Sequence, residues 1–140
     1  MAAPYALVVP IRDAIVAGAW AAALSGAPST VHALVRGRDP LGATKAAGSI
    51  LLPRETRTPR LVAAAVPVHL ALSFGWALVL QRLGLRGAGR GAAAGVAIAA
   101  IDLGLVGRSV PRIAALPAAP QLADHVLYGT IVGFVLARRD

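Results

Sequence analysis

One stretch of the chain, Leu61 to Gln81, constrains the fold more than any other because it contains no Asp, Glu, Lys or Arg. It is 21 residues long and is flanked by Arg60 and Arg82. An α-helix rises about 1.5 Å per residue, so a helix of this length matches the roughly 30 Å hydrocarbon core of a bilayer. We therefore predict a membrane-spanning helix, in which His69 is the one ionisable side chain.

The composition supports a membrane protein, since 57% of the 140 residues are hydrophobic and the mean hydropathy is +0.70. The net charge is +8, but the arginines fall between or beside the apolar runs. That distribution is typical of loops near anionic lipid headgroups, so we expect the lipid bilayer as the partner and no nucleic acid. The absence of cysteine excludes disulfides, thiolate catalysis and cysteine-based zinc sites.

The other apolar runs predict three further spans in a single domain, so the predicted fold is an all-α polytopic membrane four-helix bundle. Pro28 interrupts the first span, because its ring and missing N–H kink or break a helix. Asp39 and Pro40 predict the start of a short interfacial helix, with Asp39 as the N-cap. We expect spans over residues 12–35, 61–83, 91–107 and 120–137 and the interfacial helix over residues 40–52.

The first span has an alternative interpretation as part of a cleaved signal peptide. Its apolar run, residues 14–24, is followed by small residues that resemble a cleavage site. We favour an uncleaved span, because the uncharged stretch continues to Val31 and the positive residue, Arg12, comes late. Residues 1–10 are expected to lie at the membrane interface before it.

Five titratable side chains of the predicted spans fall in the same half of the bilayer. Antiparallel spans place the connections 36–60 and 108–120 on one side, which we call side A. Counting the helical rise inward from side A puts each of the five at a depth of about 6 to 14 Å. We predict an intramembrane polar cluster that consists of His32, His69, Asp102, Asp124 and His125.

Asp102 needs a partner or a proton in this setting, because an isolated carboxylate inside a bilayer costs several kcal/mol. The depth of His69 differs from that of Asp102 by only about 4 to 5 Å. We therefore predict a polar partner for Asp102 on a neighbouring helix and choose His69 as that partner.

Small residues four positions apart allow helices to approach closely. Asp102 and His125 lie on the same helix faces as such pairs, so we expect both to face neighbouring helices. The predicted packing residues are Gly91 with Gly95 in the third span and Gly129 with Gly133 in the fourth.

The polar cluster allows several functions. In one interpretation its members serve only as hydrogen bonds between helices; in the other they form a proton or cation pathway or a ligand pocket open to side A. No HExxH or other ligand spacing indicates a metal or haem, so we predict no cofactor. Ser25, Ser29 and Ser73 lack a nucleophile elbow, so we predict no catalytic residue. The leading hypothesis is an accessory or structural membrane protein that contacts itself or a larger complex; the alternative is proton- or cation-linked transport or ligand binding at the cluster.

Four segments of the chain share the pattern of one family: SGAPSTVHALVRGRDP (25–40), ATKAAGSILLP (43–53), VPVHLALSFGWALVL (66–80) and PQLADHVLYGTIVGFVLARR (120–139). They resemble the YagU-like small bacterial inner-membrane proteins. The resemblance covers most of the chain and implies a hydrophobic four-helix protein of the bacterial plasma membrane. That family has no assigned biochemical activity, so the resemblance implies no catalytic residue.

The basic residues also bear on orientation. Side A carries eight Lys and Arg residues, and the opposite side, side B, carries six. The positive-inside rule then favours side A in the cytoplasm. Side B holds both termini and the glycine-rich loop 84–91, which we interpret as a turn because its spacing fits no dinucleotide fingerprint.

Overall fold

The computed structural model describes residues 11–139, and the regular structure of these residues is helical throughout. The predicted all-α class is confirmed. The interfacial position expected for residues 1–10 lies outside the described residues. The main helices are α1 Ile11–Leu24, α2 Ala27–Val35, α3 Gly42–Gly48, α4 Thr58–Arg82, α5 Ala88–Ile101, α6 Pro111–Ala114 and α7 Ala118–Ala137.

Three helical stretches are long and apolar enough to cross a membrane: Ile11–Val35, Thr58–Arg82 and Ala88–Ser109. They overlap the first three predicted spans, with bounds that differ by up to three residues. The fourth predicted span corresponds to α7, which has 20 residues and is not one of these three.

The first of these stretches is broken into α1 and α2 at Ser25 and Gly26. Pro28 occupies the first turn of α2, where its missing N–H costs no intrahelical hydrogen bond. The same missing N–H leaves the carbonyl of Leu24 without its usual donor four residues later. The interruption predicted near Pro28 therefore takes the form of two separate helices.

Two other helices differ from the prediction. The helix expected over residues 40–52 is shorter and begins at Gly42. The Leu41 N–H donates to Asp39 Oδ1 at 2.9 Å, so the Asp39 carboxylate closes a turn that precedes the helix. The N-cap of α3 is Leu41, and the assignment of Asp39 to that position was wrong.

The third predicted span does not remain α-helical to residue 107. It becomes a π-helical turn at Asp102–Val106 and then a 3₁₀ turn at Gly107–Ser109. The Gly107 N–H donates to the carbonyl of Asp102, five residues earlier. π-Helical turns are rare in proteins, and those that occur often lie at functional sites. Asp102, the first residue of this turn, is therefore a candidate functional residue.

The helices pack around a core of small and medium-sized side chains. The α5–α7 contact is the most extensive, α1 packs on α4 and α7, α2 packs on α7, and α3 packs on α4. Arg139 Nε lies 2.6 Å from Asp13 Oδ1, so this contact joins the end of α7 to the start of α1. The core consists of Ala14, Ala17, Ala21, Ala77, Leu80, Ile98, Tyr128, Val132 and Leu136.

Candidate functional site: a polar centre among the helices

The break between α1 and α2 leaves main-chain groups that need partners, and side chains from two other helices supply them. His69 Nε2, on α4, lies 2.9 Å from the carbonyl oxygen of Ala22 in the last turn of α1. A carbonyl only accepts, so the imidazole donates this hydrogen bond. Carbonyls in the last turn of a helix have no intrahelical donor, and His69 satisfies one of them.

The other end of the break is satisfied by Asp124 on α7. Its Oδ1 accepts the main-chain N–H of Ser29, in the first turn of α2, at 2.9 Å. A carboxylate in this position acts as a helix N-cap, although it comes from a residue 95 positions away in sequence. Two of the predicted cluster residues, His69 and Asp124, thus stabilise the interrupted helix.

Asp102 lies between α4 and α7, at the start of the π-helical turn. Trp76 Nε1 donates to Asp102 Oδ2 at 3.1 Å, and His125 Nε2 lies 3.6 Å from the same oxygen. The prediction that Asp102 has a polar partner on a neighbouring helix is confirmed.

The choice of His69 as that partner was wrong, because His69 points to Ala22. The number of residues along a helix gives the depth of a side chain but not its rotation about the helix axis. The sequence also does not show that the helix break leaves the Ala22 carbonyl as a partner for His69.

His125 is held in one orientation by its other ring nitrogen. Nδ1 lies 2.8 Å from the carbonyl oxygen of Gln121, which can only accept, so Nδ1 carries a hydrogen. The Nε2 atom therefore faces Asp102. The side chains of His125 and Asp102 keep 20% and 19% of their surface exposed, so the pair is largely enclosed by its neighbours.

The fifth cluster residue, His32, is not brought to this centre. Its side chain is half-buried on α2 and makes no hydrogen bond or ion pair with another residue of the range 11–139. The five predicted residues therefore separate into three sets. His69 and Asp124 lie at the helix break, Asp102 and His125 face each other, and His32 lies by itself.

Two residues that donate hydrogen bonds in this polar centre were not predicted from the sequence. Trp76 supplies the indole N–H to Asp102, and the Tyr128 hydroxyl donates to the main-chain carbonyl of Ser73. Each shares a helix face with a predicted cluster residue, Trp76 with His69 and Tyr128 with Asp124. That periodicity was the available signal, but it does not show which groups meet.

The four predicted packing glycines lie together where α5 and α7 cross. A Cβ on Gly91 would overlap the carbonyl oxygen of Gly129, and a Cβ on Gly129 would overlap that of Gly91. A Cβ on Gly95 would overlap the carbonyl oxygen of His125, and one on Gly133 that of Gly87. This close approach fixes the position of His125 relative to α5.

In the connection before α4, outside the candidate spans, Glu55 accepts hydrogen bonds and pairs with arginine side chains. Its Oε1 accepts the main-chain N–H groups of Arg57 and Thr56 at 2.9 Å, and Arg60 lies 3.2 Å from Oε2. The hydrogen bond from the Arg57 N–H leads the interactions that lower the pKa of Glu55 to about 2. Arg112 donates to the Glu55 carbonyl at 2.7 Å and ties this connection to α6.

We searched for metal sites and for known relatives that would indicate a function for these residues. Within residues 11–139, no three His, Asp or Glu side chains form a group that could hold a metal ion. Comparison of the chain with family models, curated proteins and solved structures finds no match.

Proposed function

We propose that this chain is a small multi-pass protein of a bacterial plasma membrane that acts as an accessory or structural component through helix contacts. The observation that carries the proposal is the use of polar side chains as ties between helices. His69, Asp102 and Asp124 each bond to a group on another helix. Hydrogen bonds between helices hold membrane helices in a defined arrangement. This structural role requires no chemical reaction.

The proposal includes α7 as the fourth span of a helical bundle. Its 20 residues correspond to about 30 Å of helix, the thickness of the hydrocarbon core. It packs on α1 and α5, both of which belong to candidate spans. Its end at Arg139 meets the start of α1 at Asp13, and its Asp124 meets α2 at Ser29. Helix α7 therefore runs antiparallel to α1 and α2 over most of their length.

The bacterial plasma membrane and the cytoplasmic position of side A belong to the same proposal. They are supported by the resemblance of four segments to YagU-like proteins and by the excess of basic residues on side A. Helix α3 lies on side A beside the start of α4, where the Gly48 backbone contacts that of Leu61. We assign it to the membrane interface.

The proposal places the contact with a second copy or a larger complex on an exposed apolar face of α2. Val31, Leu34 and Val35 lie within about one helical turn and are 56%, 60% and 78% exposed. The proposal predicts that protein extracted in a mild detergent carries a second copy or a partner at a fixed ratio. Light scattering coupled to size-exclusion chromatography measures the molar mass of the extracted complex.

Leu34→Ala should weaken the association, and Leu105→Ala, at a residue that is 71% exposed elsewhere, is the control. A single monomeric species over a hundredfold concentration range, without a partner, would contradict the proposal. Equal effects of the two substitutions would remove α2 as the contact face.

A further inference from the structure

The couple formed by Asp102 and His125 has a property that a simple tie between helices does not need. Nδ1 of His125 must carry hydrogen, because it faces the carbonyl oxygen of Gln121 at 2.8 Å. A neutral imidazole with hydrogen on Nδ1 has only a lone pair on Nε2. That lone pair would face Asp102 Oδ2 at 3.6 Å.

Two lone pairs in this arrangement repel each other unless a proton is present. Either Nε2 is protonated and an imidazolium faces a carboxylate, or the carboxyl group is protonated. In both forms the couple is neutral, whereas its deprotonated form carries a full negative charge. An uncompensated charge in an apolar segment costs several kcal/mol. The geometry therefore favours the form that holds one proton.

None of the neighbouring groups named below supplies a positive charge that would take the place of that proton. From α4, Trp76 donates its N–H to Asp102 Oδ2 and has no charge to contribute. From α7, the Asp124 carboxylate accepts from Ser29, and the Tyr128 hydroxyl donates to Ser73. Among residues 11–139, His125 is the titratable side chain whose ring nitrogen faces Asp102.

We infer that Asp102 and His125 form a binding site for a single exchangeable proton, within the apolar region and about 10 Å from the start of α7 on side A. The Trp76 N–H stabilises the carboxylate form of Asp102, so the bound proton belongs on the Nε2 lone pair of His125. On binding, an O–H bond of a hydronium ion breaks as the N–H bond forms, which leaves water, and release reverses this step. Asp102 is the first residue of the π-helical turn Asp102–Val106. This site goes beyond the proposed structural role, because it allows the protein to respond to protons.

Nitrogen NMR of the full-length protein with labelled histidine, reconstituted in lipid nanodiscs, tests the inference. The chain has three histidines, and substitution of His32 and His69 by Gln assigns the His125 signals. We expect a neutral His125 ring with hydrogen on Nδ1 at high pH. A carboxylate within about 4 to 6 Å stabilises an imidazolium, so Asp102→Asn should lower the pH midpoint of His125 by at least about one unit.

Two further variants keep the test decisive. Asp124→Asn is the matched control, because it removes a neighbouring carboxylate that bonds to Ser29, and it should move the midpoint less than Asp102→Asn. Trp76→Phe removes the N–H that stabilises the Asp102 carboxylate, so it should move the midpoint upward. This variant gives an answer even where Asp102→Asn does not fold. A His125 midpoint that is unchanged in Trp76→Phe, or equally changed in the two Asn variants, would overturn the inference.

Discussion

At the scale of single residues, Asp102 shows how a carboxyl group is accommodated in an apolar helix. Its Oδ2 accepts the Trp76 N–H and faces His125, so its removal would leave a donor without a partner. An unmet hydrogen bond at an enclosed site costs about 1–3 kcal/mol. The consequences of substitution therefore depend on whether the new side chain can accept.

We predict that Asp102→Asn is more stable than Asp102→Leu by about 1–3 kcal/mol, because the amide oxygen still accepts the Trp76 N–H. Thermal unfolding followed by circular dichroism in one detergent measures the difference. Equal melting temperatures for the two variants would show that Trp76 does not depend on Asp102.

The residues of this centre were only partly predictable from the sequence. The need of Asp102 for a partner follows from the cost of burying a charge, and that expectation was confirmed. The identity of the partner depends on the rotation of α4, which turns Trp76 toward Asp102 and His69 toward Ala22. Sequence spacing gives depth along a helix and which residues share a face, but not which face meets which neighbour.

Glu55 provides a prediction about acid stability, and the sign follows from its lowered pKa. The folded protein holds the pKa of Glu55 at about 2, below the ordinary value of 4.5. The ionised carboxylate therefore stabilises the fold above pH 4.5, and this contribution is lost as the pH falls from 4.5 toward 2. The melting temperature of the wild-type protein should fall more steeply over this interval than that of Glu55→Gln. Parallel pH profiles of the two proteins would contradict this role of Glu55.

At the scale of helices, the α5–α7 crossing depends on the absence of side chains at its glycines. Gly129→Ala would place a Cβ against the carbonyl oxygen of Gly91, which is main chain and cannot rotate away. The two helices must then separate, and we expect a loss of about 1–3 kcal/mol. The control is Gly75→Ala, since a Cβ at Gly75 meets nothing within 4 Å.

Gly75→Ala should leave the melting temperature unchanged or slightly raised, because Ala has the higher helix propensity. Thermal unfolding of both variants in the same detergent is the measurement. If Gly129→Ala were as stable as Gly75→Ala, the close packing of α5 on α7 would not hold.

The break between α1 and α2 leads to a prediction for Asp124. Asp124→Ala removes the acceptor for the Ser29 N–H, and loss of an N-cap costs about 0.5–2 kcal/mol. Asp124→Asn keeps an acceptor and should cost less. Chemical unfolding of the two variants separates these outcomes, and equal losses would argue that Asp124 does not cap α2.

The sequence also limited what was predictable about the helices. The span centred on Leu61 to Gln81 followed from its length and lack of charge, and Pro28 correctly indicated an interruption of the first span. The π-helical turn at Asp102–Val106 has no comparable signal. Neither Pro nor a charged pair marks its start.

At the scale of the whole molecule, the proposed four-helix bundle depends on how many times the chain crosses the bilayer. Three stretches meet the length and hydropathy required of a span, and α7 is the fourth in our proposal. Four crossings place residues 56 and 118 on side A and residues 83 and 138 on side B. With only three crossings, residues 118 and 138 would share a side.

Single-cysteine labelling in intact cells decides between these arrangements most directly, because the natural chain contains no cysteine. The variants are Thr56→Cys, Leu83→Cys, Ala118→Cys and Arg138→Cys, all at exposed positions. A membrane-impermeant maleimide should label positions 83 and 138 from outside and should reach positions 56 and 118 only after the membrane is permeabilised. Equal labelling of positions 118 and 138 from the same side would contradict a membrane-spanning α7 and with it the four-helix bundle.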